Sequence, residues 1–307
     1  MRFRPCSCKQ FTNSHSFLEF VYQGNKNMSS ILPNRKGGIL KASFLAISGF
    51  ILTLSGAANA AEPIDISQVV QDNGVEAAAS TVMVQRLSDG QVWVSNAARA
   101  EERFSPASSS KIPHTLIALE TGVAAPDTVF KWDGKSRWVD AWNRDQTLTS
   151  AFQVSAVWVY QDIVQRVGAA GMAEWLDRFD YGNANIGTEA TLTTYWLQDI
   201  LLVSAVEQVN FLHRLVERDL PLSDTTYAAA DAIMQTDTGD AWTMYSKTGW
   251  RHGADIMDIG WYAGWVRCGS DTYVFALNMD MPDASFRNLR ITTSTAVLEA
   301  IGAFDCQ

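Results

Sequence analysis

The chain has few cysteines and histidines, the residues that form disulfides and hold most zinc sites. Among its 307 residues are four cysteines and four histidines. After residue 60 the histidines are His114, His213 and His252, with no H-E-x-x-H spacing and no Cys/His cluster, so a protein-held metal site is not expected. Of the four cysteines, only Cys268 and Cys306 lie after residue 60. An oxidising compartment permits a disulfide, but two cysteines so far apart do not require one, and their pairing stays open.

Long apolar runs are equally scarce. One run, Ala42–Leu54, follows Arg35, Lys36 and Lys41 and precedes an A-x-A site at Ala58–Ala60. This order is typical of a secretory signal peptide cleaved before Ala61. The alternative is a single membrane anchor, but the run is shorter than the roughly 20 residues that a spanning helix needs.

A signal peptide that starts at Met28 has an ordinary length, so we expect the upstream Met1 to be unused. Residues 1–60 are therefore predicted to be a leader, and 61–307 a single exported domain, periplasmic or secreted, without a membrane anchor after cleavage.

Basic residues are few in that exported part. The whole chain has a net charge of −9, and residues 61–307 keep 17 basic and 32 acidic residues, a net charge of −15. Such a surface argues against nucleic acid and anionic membranes as partners. Only four lysines remain: Lys111, Lys131, Lys135 and Lys247.

The periodicity of the sequence predicts an α+β fold. Two apolar runs, 81–87 and 91–95, flank Asp89-Gly90, which predicts a β-hairpin. Helical spacing dominates from about 125 to 235, in the segments 158–167, 172–179 and 204–218, and we expect these residues to form a helical insertion. The strand period returns at 242–247, 259–267 and 272–278, before a last helix at about 290–301. The terminal segments should build one antiparallel sheet, with a cleft between sheet and insertion.

A predicted helix over residues 108–122 begins with the pair Ser108 and Lys111. Positions three apart share a helix face, so the amine should lie one turn from the hydroxyl. Free backbone N–H groups at a helix N-terminus can stabilise a developing oxyanion. A hydroxyl, a base and such donors are what acyl transfer requires. A single Ser-x-x-Lys also arises by chance in a chain of this length, so the pair needs partners elsewhere.

Three further motifs follow in order. Ser155-Ala-Val157 lies on a predicted helix, where an ordinary buried serine is the simpler interpretation. Tyr181-Gly-Asn183 lies in a predicted loop, where such residues form turns anyway. Lys247-Thr-Gly249 follows a strand, and a specified tripeptide rarely arises by chance. Two of the four lysines of residues 61–307 thus fall in these motifs.

Together these residues resemble the class D, or oxacillinase-type, serine β-lactamases. The resemblance covers nearly all of 61–307, and the related penicillin-binding and class A proteins carry an amide or Asp-Asn where this chain has Val157. Further matching segments are Phe130–Lys135, Tyr195–Leu197, Gly260–Trp265 and Leu289–Arg290.

The resemblance implies a β-lactamase/D,D-peptidase-like fold and a small-molecule β-lactam substrate. Ser108 would form the acyl-enzyme, with the backbone N–H groups of Ser108 and Trp250 as the oxyanion hole. Lys111 would react with CO2 to give a carbamate, the only cofactor expected, with the Trp196 indole N–H as its donor. An ordinary lysine has a pKa of ~10.4 and is protonated, so burial would have to lower that pKa.

The resemblance also assigns the other site residues. Ser155 would relay a proton to the leaving nitrogen. The substrate-binding residues would be Val157, Lys247, Thr248, Gly249, Trp250 and Arg290, and the substrate carboxylate suits the geometry of an arginine. A solvated residue at the start of the last helix is the alternative for Arg290. Family members occur as monomers and as homodimers, so the oligomeric state stays open.

One departure from the family pattern lies between nucleophile and lysine. The family usually has Thr-Phe there, whereas this chain has Ser109-Ser110. If the Phe side chain forms part of the apolar wall around the lysine, Ser110 admits water and makes carboxylation less favourable. We therefore predict that Ser110→Phe raises turnover and lowers the bicarbonate requirement. Turnover and bicarbonate titrations that match those of the unchanged protein would contradict this.

Two other functions fit parts of the pattern. A β-lactam-sensing domain has a similar fold and is acylated without turnover. Such a sensor follows a long membrane-embedded N-terminal region, whereas here a single predicted signal peptide precedes the domain. A cell-wall D,D-peptidase shares the Ser-x-x-Lys and Lys-Thr-Gly elements, and Val157 and Trp196 speak against it. The preferred β-lactam class, from penicillins to carbapenems, stays open.

Overall fold

The structure is a computed structural model that describes residues 62–253 and 256–306. All of them belong to one compact unit. The predicted leader and its cleavage site lie outside the described residues. The strands, numbered in chain order, are β1 Ile64–Asp65, β2 Ser80–Arg86, β3 Val92–Val94, β4 Val129–Phe130, β5 Gln146–Thr147, β6 Gln235–Thr238, β7 Trp242–Arg251, β8 Asp258–Cys268 and β9 Asp271–Met281.

The helices surround the larger of two sheets. They are α1 Ser67–Asp72, α2 Ala97–Glu101, α3 Lys111–Glu120, α4 Leu148–Gln153, α5 Val157–Arg178, α6 Ala205–Val216, α7 Asp224–Met234 and α8 Leu289–Ala300. Short 3-10 turns occupy Ala77–Ala79, Ala107–Ser110, Asp140–Trp142, Glu189–Thr191 and Ala284–Arg287.

The central sheet has seven strands in the order β1-β3-β2-β9-β8-β7-β6. The predicted hairpin is present, with β2 antiparallel to β3. The three long strands β7, β8 and β9 pair antiparallel along their full lengths, from Trp242 opposite Cys268 to Asp258 opposite Met281. The predicted antiparallel sheet is confirmed, with one parallel pair added at its edge, where the two-residue strand β1 runs parallel to β3.

Side chains of the sheet alternate between two apolar cores. In β9, Val274 and Ala276 face the core that the helices of the middle segment share, whereas Phe275 and Leu277 face a second core. That second core also takes Val297 and Leu298 of α8. Because successive side chains of a strand point to opposite faces, the sheet is the middle layer between two sets of helices.

The helical segment between 125 and 235 does not stand apart from the sheet throughout. Helix α6 packs against β2 and β9, and α7 leads directly into β6. Helix α5 joins two segments that the sequence predicts separately, and it is broken at Gly168, whose φ is 79°. A positive φ is a conformation that glycine adopts at little cost, which explains the break in the helical spacing there.

Cys268, at the end of β8, is bonded to Cys306, beyond α8. This settles the pairing that the sequence leaves open. No helix within the described ranges has both the length and the apolar character needed to cross a bilayer.

Candidate active site

The segment that carries Ser108 is a tight turn rather than the first turn of an α-helix. Ala107–Ser110 is a 3-10 turn, and α3 begins at Lys111. The hydroxyls of Ser109 and Ser110 donate to the carbonyls of Pro106 and Ala107, at 2.8 and 2.7 Å. Ala107 has a φ of 47°, an uncommon left-handed conformation for a residue with a Cβ. Such strain persists only where the surroundings hold it, which is frequent at functional sites.

Lys111 lies directly beside the nucleophile. Its Nζ is 2.8 Å from the Ser108 Oγ, as the spacing predicts, and its side chain is fully buried. Burial, with a smaller contribution from the charge of Lys247, holds the pKa of the Lys111 amine well below its usual range. Desolvation disfavours the ammonium form, so the amine is neutral more readily than in an exposed lysine.

Neighbouring elements hold the nucleophile segment from both sides. The Ser105 hydroxyl donates to the Trp196 carbonyl at 3.0 Å, and the Trp261 indole N–H donates to the Ser105 carbonyl at 2.9 Å. On β7, a Cβ placed on Gly249 would lie 2.6 Å from the Pro106 carbonyl oxygen. Only glycine therefore lets β7 approach the nucleophile turn so closely, since the same Cβ would also lie 3.1 Å from the Ser109 nitrogen.

Three polar atoms in or near the predicted site are buried and have no hydrogen-bond partner in residues 62–253 and 256–306. They are Trp196 Nε1, Ser155 Oγ and His114 Nδ1. Buried polar groups normally have a partner, so unpaired ones need an explanation. The indole N–H can only donate, and a carboxylate can only accept. The fully buried Lys111 of lowered pKa and the unpaired Trp196 donor therefore fit a carbamate on the lysine that the indole N–H could hold.

Ser155 is not on a helix, so that part of the prediction is wrong. It lies in the turn between α4 and α5, with a φ of 60°. The chain reverses there because the Ala156 N–H donates to the Ala151 carbonyl at 2.9 Å and closes α4. Val157 is the first residue of α5 and is half-buried at the edge of the main core.

Lys247, Thr248 and Gly249 lie in β7, beside the nucleophile turn. Burial, followed by the charge of Arg290, lowers the pKa of Lys247 to about 7. Its Nζ donates to the Thr248 carbonyl at 3.1 Å. This lysine is therefore close to the point of losing its charge at neutral pH, and a bound carboxylate would favour the charged form.

Arg290, at the start of α8, is buried rather than solvated. Its guanidinium donates to the Gly249 carbonyl and, from Nε, to the Arg287 carbonyl at 2.9 Å. Burial and the nearby charge of Arg287 lower the pKa of Arg290 to about 10, so it stays charged at neutral pH. Gly260 provides the space for the buried Arg290 side chain, since a Cβ on this residue would lie 2.7 Å from the Arg290 Cδ.

Aromatic residues line the mouth of the cleft, and the sequence motifs did not single out Trp138. It is 71% exposed, and its ring centroid lies 6.1 Å from that of Trp250. The Trp250 indole donates to Asp258 at 2.7 Å, and the Arg287 guanidinium lies 4.1 Å from the Trp250 ring. These contacts fix one wall of the opening next to the Lys-Thr-Gly strand.

Two other residues near the site were missed from the sequence. Arg251 of β7 forms an ion pair with Asp199, in the loop that carries Trp196. His114 lies one turn beyond Lys111 on the same helix, a spacing that was visible in the sequence. Its ring centroid is 5.1 Å from that of Trp196.

In the described part of the chain, no group of three or more His, Cys, Asp or Glu side chains is arranged to hold a metal ion.

The chain is similar to known proteins over most of its length. The penicillin binding protein transpeptidase domain family matches residues 68–301. β-Lactamase OXA-48 of Klebsiella pneumoniae is 37% identical over 210 residues, which cover 68% of this chain and 78% of that protein. β-Lactamase OXA-19 of Pseudomonas aeruginosa is 35% identical over 260 residues, covering 83% and 97%.

Solved structures agree with these relatives. The crystal structure of the class D β-lactamase YbXI from Nostoc superposes with a TM-score of 0.74 at 30% identity. The superposition covers 78% of this chain and 99% of the Nostoc protein. The described fold is thus that of an α+β β-lactamase.

Proposed function

Because this chain belongs to the class D β-lactamase family, we propose that it hydrolyses the β-lactam amide of penicillin-type antibiotics through an acyl-enzyme on Ser108, with a carboxylated Lys111 as general base. The observation that carries the proposal is the 2.8 Å contact of Ser108 Oγ with the fully buried Lys111 amine, whose pKa is held well below its usual range. A base of this kind beside a hydroxyl is the arrangement that nucleophilic catalysis requires.

In acylation, the Ser108 Oγ attacks the lactam carbonyl carbon. Its proton moves toward the Lys111 side chain, and the backbone N–H groups of Ser108 and Trp250 stabilise the oxyanion. The carbonyl carbon then loses its bond to the lactam nitrogen, which takes a proton by way of the Ser155 hydroxyl. The buried, unpaired Oγ of Ser155 supports this role, because it is committed to no other partner among the described residues.

In deacylation, a water gives up a proton toward the Lys111 side chain and attacks the acyl carbon of the Ser108 ester. The bond between that carbon and Oγ then breaks, and Oγ takes the proton back to restore the free hydroxyl. When present on Lys111, the CO2-derived carbamate supplies a carboxylate base that an ordinary ammonium cannot provide. Lys111 provides the amine to which the carbamate is attached, and Trp196 its indole donor.

The residues proposed to orient the substrate lie on and beside β7. Lys247, Thr248 and Arg290 would receive the substrate carboxylate, with Gly249 and Val157 beside the ring. The support is that Lys247 and Arg290 are both buried, and that Arg290 donates to the carbonyl of Gly249, two residues after Lys247 on β7. A carboxylate matches this pair of positive charges.

Intact-protein mass spectrometry of the purified protein with a penicillin, with and without added bicarbonate, tests the proposal. We expect an adduct on Ser108 that clears, and clears faster with bicarbonate. An adduct that persists in both conditions would favour the sensing function. No adduct at all would overturn the assignment of Ser108, and Ser108→Ala provides the matched blank.

The same proposal includes export. The predicted signal peptide and the relatives' family support a periplasmic or secreted enzyme, and cell fractionation followed by N-terminal sequencing should find a chain that begins at Ala61. A chain that retains residue 60 and pellets with membranes would contradict it.

A further inference from the structure

His114 has an unusual environment for a histidine. It lies in α3, three residues after Lys111, and its side chain is fully buried. Aromatic rings surround it: Trp196 at 5.1 Å, Tyr195 at 5.6 Å and Tyr160 at 6.4 Å between centroids. Burial and the neighbouring Lys111 lower the pKa of His114 to about 3, so the imidazole is neutral and carries one N–H and one lone pair.

The partner of Nε2 identifies which nitrogen carries that proton. The Tyr195 Oη lies 2.8 Å from His114 Nε2, and it has no other hydrogen-bond partner in the ranges that the structure describes. A buried phenol O–H needs an acceptor, and a neutral imidazole offers one only at its unprotonated nitrogen. Tyr195 therefore donates to Nε2, and the imidazole proton is on Nδ1.

His114 Nδ1 is consequently a buried donor, and it has no partner in those same ranges. The neighbouring indole of Trp196 presents a second buried and unpaired N–H. Lys111 Nζ is 5.0 Å from the centroid of Tyr160, whose ring centroid lies 6.4 Å from that of His114, which in turn lies 5.1 Å from that of Trp196. The lysine and the two rings that carry the unpaired donors therefore belong to one buried cluster. Two unpaired donors in a dry cluster call for an acceptor-only group, because an unpaired buried donor costs free energy.

We propose that the Nδ1–H of His114 donates a hydrogen bond to the carbamate of Lys111, together with the indole of Trp196, and so acts as a positioning residue for the general base. The inference rests on the carboxylated lysine of the proposed function. The group forms when the neutral Nζ makes a C–N bond to CO2 and loses one proton to solvent, which leaves a single negative charge shared by two acceptor oxygens. His114 favours that product because its Nδ1–H offers a hydrogen-bond donor to the anion.

Three variants separate this role from simple packing. His114→Phe keeps an aromatic ring but removes both nitrogens. His114→Asn keeps a side-chain N–H close to the position of Nδ1 and removes the distal edge of the ring. The double variant His114→Phe with Tyr195→Phe removes the hydroxyl that the first change leaves without an acceptor, so it controls for a folding defect.

The primary readout is the carbamate signal in 13C NMR of the purified protein with 13C-bicarbonate, which does not depend on turnover. Bicarbonate titrations of that signal and of penicillin hydrolysis follow. For His114→Phe and for the double variant, we expect the half-saturating bicarbonate concentration to rise at least about tenfold, the loss typical of a hydrogen bond to a charged group. His114→Asn should stay within about threefold of the unchanged protein on the same scale.

Equal carboxylation of His114→Phe and the unchanged protein would overturn the inference and leave the proposed function standing. A loss in His114→Phe that the double variant restores would also overturn it, because the cause would be the stranded Tyr195 hydroxyl. If the unchanged protein gives no carbamate signal at saturating bicarbonate, the proposed base fails, and the role of His114 fails with it.

Discussion

At the scale of single residues, the two lysines of the site have opposite tasks in the same dry cleft. In the proposed mechanism, Lys111 must be neutral to react with CO2, whereas Lys247 must be charged to hold the substrate carboxylate. Burial lowers the pKa of both lysines, and a neighbouring positive charge lowers it further. That charge is Lys247 for Lys111 and Arg290 for Lys247. The positive charges that we propose bind the substrate carboxylate thus also help to keep the Lys111 amine unprotonated.

The pKa of Lys247, lowered to about 7, predicts an alkaline limit to catalysis. A lysine is cationic below its pKa and neutral above it, so the site loses one of the charges that hold the substrate as pH rises through 7. We expect kcat/KM to fall above pH 7, approaching about tenfold per pH unit, while kcat changes less, because a bound carboxylate raises the pKa of the ammonium. Stopped-flow hydrolysis of a penicillin from pH 6 to 9 measures both.

Lys247→Arg is the matched control for that profile, since a guanidinium stays charged over the whole range. Its kcat/KM is expected to be lower at pH 6 but level up to pH 9. An alkaline limb that persists unchanged in Lys247→Arg would show that another group causes it.

Some of these residues were visible in the sequence and others were not. Ser108, Lys111 and Lys247 stood out because lysines are few and the spacings are specific, and the structure brings all three together. The left-handed backbone of Ser155 was not predictable, since it depends on how α4 closes against the start of α5. The burial of Arg290 was not predictable either, because Gly260, on another element, makes the room for it.

At the scale of secondary structure, periodicity located the strands and helices better than it located their ends. The last three strands were predicted in the right places, but each is longer in the structure, because pairing along the full ladder adds residues without an apolar pattern. The helix predicted from residue 108 begins at Lys111, because the hydroxyls of Ser109 and Ser110 close a 3-10 turn before it. That tighter turn sets the direction of Ser108.

The contact between β7 and this turn predicts the effect of Gly249→Ala. The added methyl group would lie 2.6 Å from the Pro106 carbonyl oxygen and 3.1 Å from the Ser109 nitrogen, and neither is a flexible side-chain end. The strand must therefore move away from the nucleophile, which carries the Trp250 N–H with it. We expect the acylation rate to fall by roughly 100-fold, as for a misplacement of about 1 Å.

Acylation by a chromogenic β-lactam in single-turnover experiments measures this loss, and far-UV circular dichroism verifies that the variant is folded. Wild-type acylation by a folded Gly249→Ala protein would mean that the approach of β7 does not position the oxyanion donors. Thermal unfolding of the same sample separates a local shift from a general loss of packing.

At the scale of the whole molecule, the two layers of helices have different relations to the catalytic cleft. Lys111 of α3 and the turns and loop that carry Ser108, Ser155 and Trp196 belong to the core on one face of the sheet, whereas Arg290 lies at the first turn of α8, on the other face. The far end of α8 is tied to the sheet by the bond between Cys268 and Cys306. A twelve-residue helix is about 18 Å long, so the disulfide lies well away from the arginine.

This separation predicts that the disulfide stabilises the fold without tuning the chemistry. It closes a loop with a sequence separation of 38 residues, and losing such a link is expected to cost about 2–4 kcal/mol of unfolding free energy. Arg290 is held by the carbonyls of Gly249 and Arg287, which the disulfide does not touch. The double variant Cys268→Ser with Cys306→Ser should therefore unfold several degrees lower but keep the kcat and KM of the unchanged protein at 25 °C.

Calorimetry measures the unfolding temperature and penicillin hydrolysis measures kcat and KM on the same samples, with the unchanged protein under reductant as a second control. A rise in KM of tenfold or more in the folded variant would instead show that the position of Arg290 depends on the anchored end of α8.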